Sequence, residues 1–259
     1  MPIVIHTSAA SVEADPEVAR LVTGLREASD ACLFVSGGAG HMEPHHRARV
    51  RDVLDAVPLL QRSGPRLVVG DGGTRAGVME LLGDVRARAS GTFPLVGVVP
   101  AKAVPPYGNT PVDPNHSHIV AVDDPGWPAG RDVWGSETPA MFTVFGQLAA
   151  GRAAVALVAN GGGLALEEVE RHLRMRRPIV VLAGSGRAAD AIARGLGRGA
   201  RDVEPGECDP AQAALGQELE RRQILESPER FTVVHVAEGP GVLADALVRA
   251  LGEAGATGS

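Results

Sequence analysis

The chain reads as an α/β protein built on a doubly wound, mostly parallel sheet. Three observations predict this. Short apolar runs alternate with helical patterns along the chain. The runs are near-continuous in Val, Ile and Leu, as in parallel strands covered on both faces. Several runs end in glycine clusters that lead straight into a helical stretch.

Eight strands are expected, at Pro2–His6, Cys32–Ser36, Arg66–Gly70, Pro94–Val99, His118–Asp123, Ala154–Ala159, Pro178–Ala183 and Phe231–Val236. The helical patterns between them include residues 45–60, 74–89, 165–176 and 187–196. Two stretches break the rhythm. Ala101–His118 is a long loop rich in Pro, Asn and Gly, and long loops in compact domains often carry function. Ala200–Phe231 is polar and reads as a loop followed by an exposed helix. No internal repeat or linker divides the chain, so residues 1–251 are expected to form one domain. Residues 252–259, GEAGATGS, read as a flexible tail.

Composition excludes several function classes. The 259 residues are 44% hydrophobic and only 3% aromatic, which argues against a base-stacking surface for single strands. A net charge of -6 without a basic run argues against nucleic-acid binding. Lys102 is the only lysine and has no Walker-type glycines beside it, so a P-loop is excluded. Cys32 and Cys208 form no metal spacing and read as reduced thiols of a cytoplasmic protein. No signal peptide or membrane span is expected.

The candidate chemistry lies in the glycine turns. FVSGGAG (34–40), GDGGTRAG (70–77), ANGGGLALEE (159–168) and AGSGRAADAIA (183–193) each follow a strand. Glycine there admits unusual backbone angles and lets a ligand approach the main chain. The following helix offers free N–H groups and a positive dipole end, which favours phosphate. One such turn is usually only a turn, but four at one sheet edge point to a ligand. The candidate contacts are Gly37, Gly38, Ala39, Gly72, Gly73, Thr74, Gly161, Gly162, Gly184, Ser185 and Gly186, with Arg187 as the phosphate-binding charge. Glu137 is a candidate for ribose hydroxyls. Asn115 and His116, on the long loop, are candidates to close over the ligand.

Other readings of these residues are weaker. GSGRAA fits a dinucleotide pattern with Asp202 or Glu204 downstream, yet no strand precedes either acid. His41, His45 and His46 flank Glu43, and His116 and His118 alternate, but neither set forms a convincing metal site. No metal or other cofactor is called for, and homo-oligomerisation is left open.

GDGGTRAGVMELLG, DPNHSHIVAVDD, WGSETP, NGGGLALEEV and PIVVLAGSGRAADAIA occur in this order. This set resembles the N-terminal homology region of melastatin-type TRP channels over roughly Cys32 to Ala193, in the form of a prokaryotic SLOG domain. The resemblance implies a Rossmann-like fold and a soluble sensor of a nucleotide-derived ligand such as ADP-ribose. LOG enzymes, more distant relatives, cleave nucleoside monophosphates with a PGGxGTxxE motif and an upstream arginine. That likeness puts Glu168 at the catalytic position, but Leu164 and Ala165 replace the Gly–Thr pair. The upstream helix, PAMFTVFGQLAAG, has no arginine. A helix-face acid is therefore the favoured reading of Glu168. A phosphoribohydrolase and an assembly module with a vestigial pocket are the alternatives.

Overall fold

A computed structural model of the chain describes residues 1–38, 42, 44–127, 133–198 and 210–256. The strands are β1 (Ile3–Ser8), β2 (Ala31–Gly37), β3 (Leu67–Asp71), β4 (Leu95–Pro100), β5 (His118–Asp123), β6 (Ala154–Ala159), β7 (Ile179–Ala183) and β8 (Phe231–His235). All pair in parallel, in the order β1-β5-β4-β3-β2-β6-β7-β8. The expected α/β class and all eight strands are present. The chain winds outward from β2 in one direction and from β6 in the other, so the switch point lies between these two strands. In open α/β sheets ligands favour the crevice at this point.

The helices are α1 (Pro16–Ala28), α2 (Pro44–Val53), α3 (Ala56–Ser63), α4 (Gly77–Arg88), α5 (Thr138–Ala149), α6 (Gly163–Arg174), α7 (Arg187–Gly195), α8 (Pro210–Arg221) and α9 (Gly239–Ala256). Alternate residues of each strand face opposite layers. Leu33 and Val35 of β2 pack with α2, α3, α4 and α9, whereas Cys32 and Phe34 pack with α1 and α5. Further along that second face, β6 and β7 are covered by α6, α7 and α8.

α1 shows how sequence sets one of these elements. Asp15 caps it by accepting from the N–H groups of Glu17 and Val18, and Pro16 opens its first turn. Val18, Leu21, Val22 and Leu25 then share one buried face.

Four expectations are corrected. The single helix at 45–60 is two, broken at Leu54–Asp55. Pro58 has no N–H to give the carbonyl four residues back, so one continuous helix would lose that bond. The helix expected from Thr74 starts at Gly77, because Thr74 bridges to Val112 and the Arg75 N–H donates to Pro111 O. The expected exposed helix, α8, buries Leu215 and Leu219 against α7. α9 also continues through residues 252–256, so the first part of the stretch read as a tail is helical. No described helix is long and apolar enough to cross a membrane.

Candidate functional site

The β6–α6 and β7–α7 turns are locked together at the switch point. Asn160 adopts a left-handed backbone (φ +59°), which asparagine tolerates better than most residues. Its N–H donates to Ser185 Oγ at 2.7 Å and its Nδ2 to Ser185 O at 2.8 Å. Ser185 Oγ donates in turn to Leu182 O. In the first turn of α7 the N–H groups of Ala188 and Ala189 are taken by the carbonyls of Gly161 and Asn160. Two N–H groups of this helix end are therefore already held by protein. α6 differs. Leu166 is its first N–H to find an in-helix acceptor, Gly162 O, and the N–H groups of Gly163, Leu164 and Ala165 have no acceptor among the described residues.

Arg187 lies across this region. A Cβ on Gly162 would stand 2.8 Å from Arg187 Nη2, and one on Gly38 would stand 3.4 Å from Nη1. The guanidinium thus rests over glycines from the turns after β2 and β6. It pairs with no carboxylate among the described residues. A cleft of about 700 Å³ opens beside it, lined by His46, Asn160, Gly163, Gly186, Arg187 and Asp190, with Ala211, Gln212, Ala214, Leu215 and Glu218 of α8 as the far wall. Gln212 Nε2 donates to Arg187 O at 3.2 Å, tying that wall to the turn.

The GDGGT turn is built mainly for packing. A Cβ on Gly70 would strike the Phe145 ring at 2.6 Å, and one on Gly73 would stand 2.9 Å from Gly97 Cα. Gly73 has φ +68°, and its N–H already donates to Asp71 Oδ1 at 2.7 Å. Gly72 is open, with only Met79 near 4 Å. Asp71 Oδ1 also meets His116 Nε2 at 2.7 Å, and His116 Nδ1 meets Asp113 Oδ2 at 2.8 Å. Burial opposes the charged imidazole, but Asp71 and Asp113 outweigh it and push His116 up to about 9. The long loop is thereby bolted to the end of β3. His116, expected to close over a ligand, is 2% exposed and has both ring nitrogens engaged by these carboxylates.

An acidic group sits on the other flank of α6. Burial pushes Glu168 up to about 8, against a hydrogen bond from the Ser36 side chain at the end of β2; Glu137, Glu167 and Asp71 raise it further. Burial likewise pushes Glu137 up to about 7, although its Oε2 accepts from the Gly135 N–H at 2.8 Å. Ser36 Oγ also lies 3.4 Å from His172 Nε2, and His172 Nδ1 lies 3.2 Å from Arg177 Nη1. A line of polar contacts thus runs from Glu168 through Ser36 and His172 to Arg177, along the face of the sheet that carries Phe34.

The expected contacts therefore divide. Gly186 and Arg187 line the cleft, and Gly38 and Gly162 lie under the Arg187 guanidinium beside it. Gly37, Gly161 and Gly184 are packing positions, pressed on Val78, on Ala165 and on His235. Ser185 and Thr74 are buried, and Thr74 Oγ1 has no partner among the described residues. Asn115 lies just before β5, and its carbonyl accepts from Arg86 in the last turn of α4, at the opposite sheet edge from the cleft. Glu137 belongs to the acidic group. Ala39, His41, Glu43, Asp202, Glu204 and Cys208 lie outside the described residues. Sequence reasoning missed Asn160, although an asparagine before three glycines signals a left-handed turn. It also missed Ser36, Asp71 and the α8 wall, which carry no local motif.

A family model described as SLOG in TRPM, prokaryote, matches residues 30–245. No curated protein matches the chain.

Proposed function

The chain belongs to the prokaryotic family of SLOG domains related to those of TRPM channels, and from that premise we propose that it binds a phosphate-bearing, nucleotide-derived ligand of the ADP-ribose class as a sensor domain. One observation carries this reading. The Arg187 guanidinium lies over glycines of two turns at the switch point, with no carboxylate partner among the described residues, beside a cleft of ligand size. Arginine forms charge-assisted forks with phosphate oxygens, and the free N–H groups of α6 add neutral donors. Ala211, Ala214 and Leu215 offer an apolar wall to a sugar or base.

A second reading rests on Glu168. A carboxyl group held near 8 and contacted by the Ser36 hydroxyl is suited to general acid catalysis, as N-glycosidic cleavage of a nucleotide requires. Incubation with ADP-ribose and AMP followed by mass spectrometry separates the two. Retained, unchanged ligand supports the sensor. Released base supports the hydrolase. Neither result leaves an assembly module.

A further inference from the structure

A second cleft lies at the opposite edge of the sheet, where the strands begin. Its volume is about 540 Å³ and it is lined by Arg152, Arg176, Arg177 and Arg230, with no carboxylate in its wall among the described residues. Ala154 opens β6 and Pro178 directly precedes β7, which places it away from the turns around Arg187.

Arg177 is the informative residue. It is only 6% exposed and stacks on the Phe34 ring, with Cζ 4.5 Å from the centroid. Its hydrogen bonds go to His172 Nδ1 and Phe145 O. His172 supplies no counter-charge, because an imidazole is neutral or cationic, and burial and Arg177 hold this one well below its usual range, so it stays neutral. Cys32, the nearby thiol, is pushed up to about 11 by burial and carries no charge at neutral pH. Burial lowers Arg177 only to about 10, so the guanidinium stays charged. A buried charge without a counter-ion is costly.

The neighbouring arginines do not relieve this. Arg152 donates to Ser29 Oγ and Arg26 O. Arg230 donates to Arg176 O and approaches the exposed Glu229 only to 4.0 Å. Asp30, which also feels Arg152, is held by Arg66 at 2.8 Å. Backbone carbonyls thus take up Arg152, Arg177 and Arg230, but a neutral carbonyl supplies no full counter-charge to four cations around one cavity.

We infer that this cleft is a second anion site, separate from the Arg187 cleft, taking a small molecule through a phosphoryl group of multiple charge. Arginine forks suit such a group, and Met175, Ala149, Ala154 and Ala254 provide apolar wall for an organic remainder.

The test is calorimetric titration of inorganic pyrophosphate at low ionic strength into the parent, Arg187→Ala and Arg176→Asn/Arg230→Gln proteins. Asparagine is chosen at 176 because the backbone there is left-handed, φ +55°. The Arg187→Ala protein is expected to retain one pyrophosphate per chain. The double variant is expected to bind at that site at least about tenfold more weakly, since two charge-assisted contacts are gone. It is also expected to melt no lower than the parent. Absence of binding in Arg187→Ala, or unchanged affinity in the double variant, overturns the site. If the double variant fails to fold, Arg230→Gln alone must still weaken binding severalfold, and unchanged affinity there overturns it too. Failure of ADP-ribose to bind the parent would bear only on the Arg187 cleft.

Discussion

His116 Nε2 stands 2.7 Å from Asp71 Oδ1, which joins the long loop before β5 to the end of β3 through a buried charged pair. Asp113 holds the other ring nitrogen at 2.8 Å. A pair of carboxylates and one imidazolium form a closed unit, with Asp71 Oδ2 left without a partner among the described residues.

The first prediction concerns alkaline pH. His116 is raised from 6.5 to about 9 on folding. The folded state therefore binds a proton that the unfolded state has released. This contribution is fully present below about pH 6.5 and is lost as pH rises through about 9, amounting to roughly 1–3 kcal/mol. Urea unfolding across this range is expected to show the decline. His116→Gln should lose about 3–5 kcal/mol at neutral pH, because two buried carboxylates then face each other unpaired. A His116→Gln protein as stable as the parent at pH 7 would show that the imidazolium is not the bolt.

The glycine turns can be told apart by substitution. Gly73→Ala should lower stability by about 1–2 kcal/mol or more, since the left-handed backbone disfavours a Cβ and Gly97 Cα leaves no room. Gly162→Ala should instead weaken ligand binding, because its Cβ would meet the far end of the mobile Arg187 side chain. Thermal melts with and without ADP-ribose read both effects. The reading of GDGGT as a packing turn fails if Gly73→Ala melts normally yet no longer responds to ligand.

Arg187→Ala is expected to weaken ADP-ribose and ADP by roughly 1.5–3 kcal/mol, the range for hydrogen bonds to a charged group. Adenosine, which lacks phosphate, should be little affected. Parallel titrations of the three compounds check this, and equal losses for adenosine and ADP would contradict a phosphate contact.

Glu168 supplies a pH test of the acidic group. Its folded value is raised from 4.5 to about 8, so its contribution is fully present below about pH 4.5 and is lost as pH rises through about 8. Glu168→Gln should flatten the stability profile there while the decline due to His116 persists. With Leu164 and Ala165 in place of a Gly–Thr pair, the parent is expected to release no adenine from AMP. Steady release that disappears in Glu168→Gln, measured by chromatography, would favour the hydrolase.

The strands, their parallel pairing class and the glycine turns are legible in the chain itself. Apolar runs buried on both faces carry that signal locally, and glycine marks where the backbone must turn. Arg187 is legible for the same reason, since it opens a helix directly after such a turn. The role of each glycine is not. Gly73 and Gly162 read alike in sequence, yet Gly97 fills the space beside one and the Arg187 guanidinium lies over the other. Those neighbours come from other strands and helices. The same holds for His116, whose two carboxylates lie 45 and 3 residues away, and for the four arginines gathered from separate elements around one cavity. Backbone preference is written in neighbouring residues, whereas charge pairing and available space depend on which distant residues the winding of the sheet brings together.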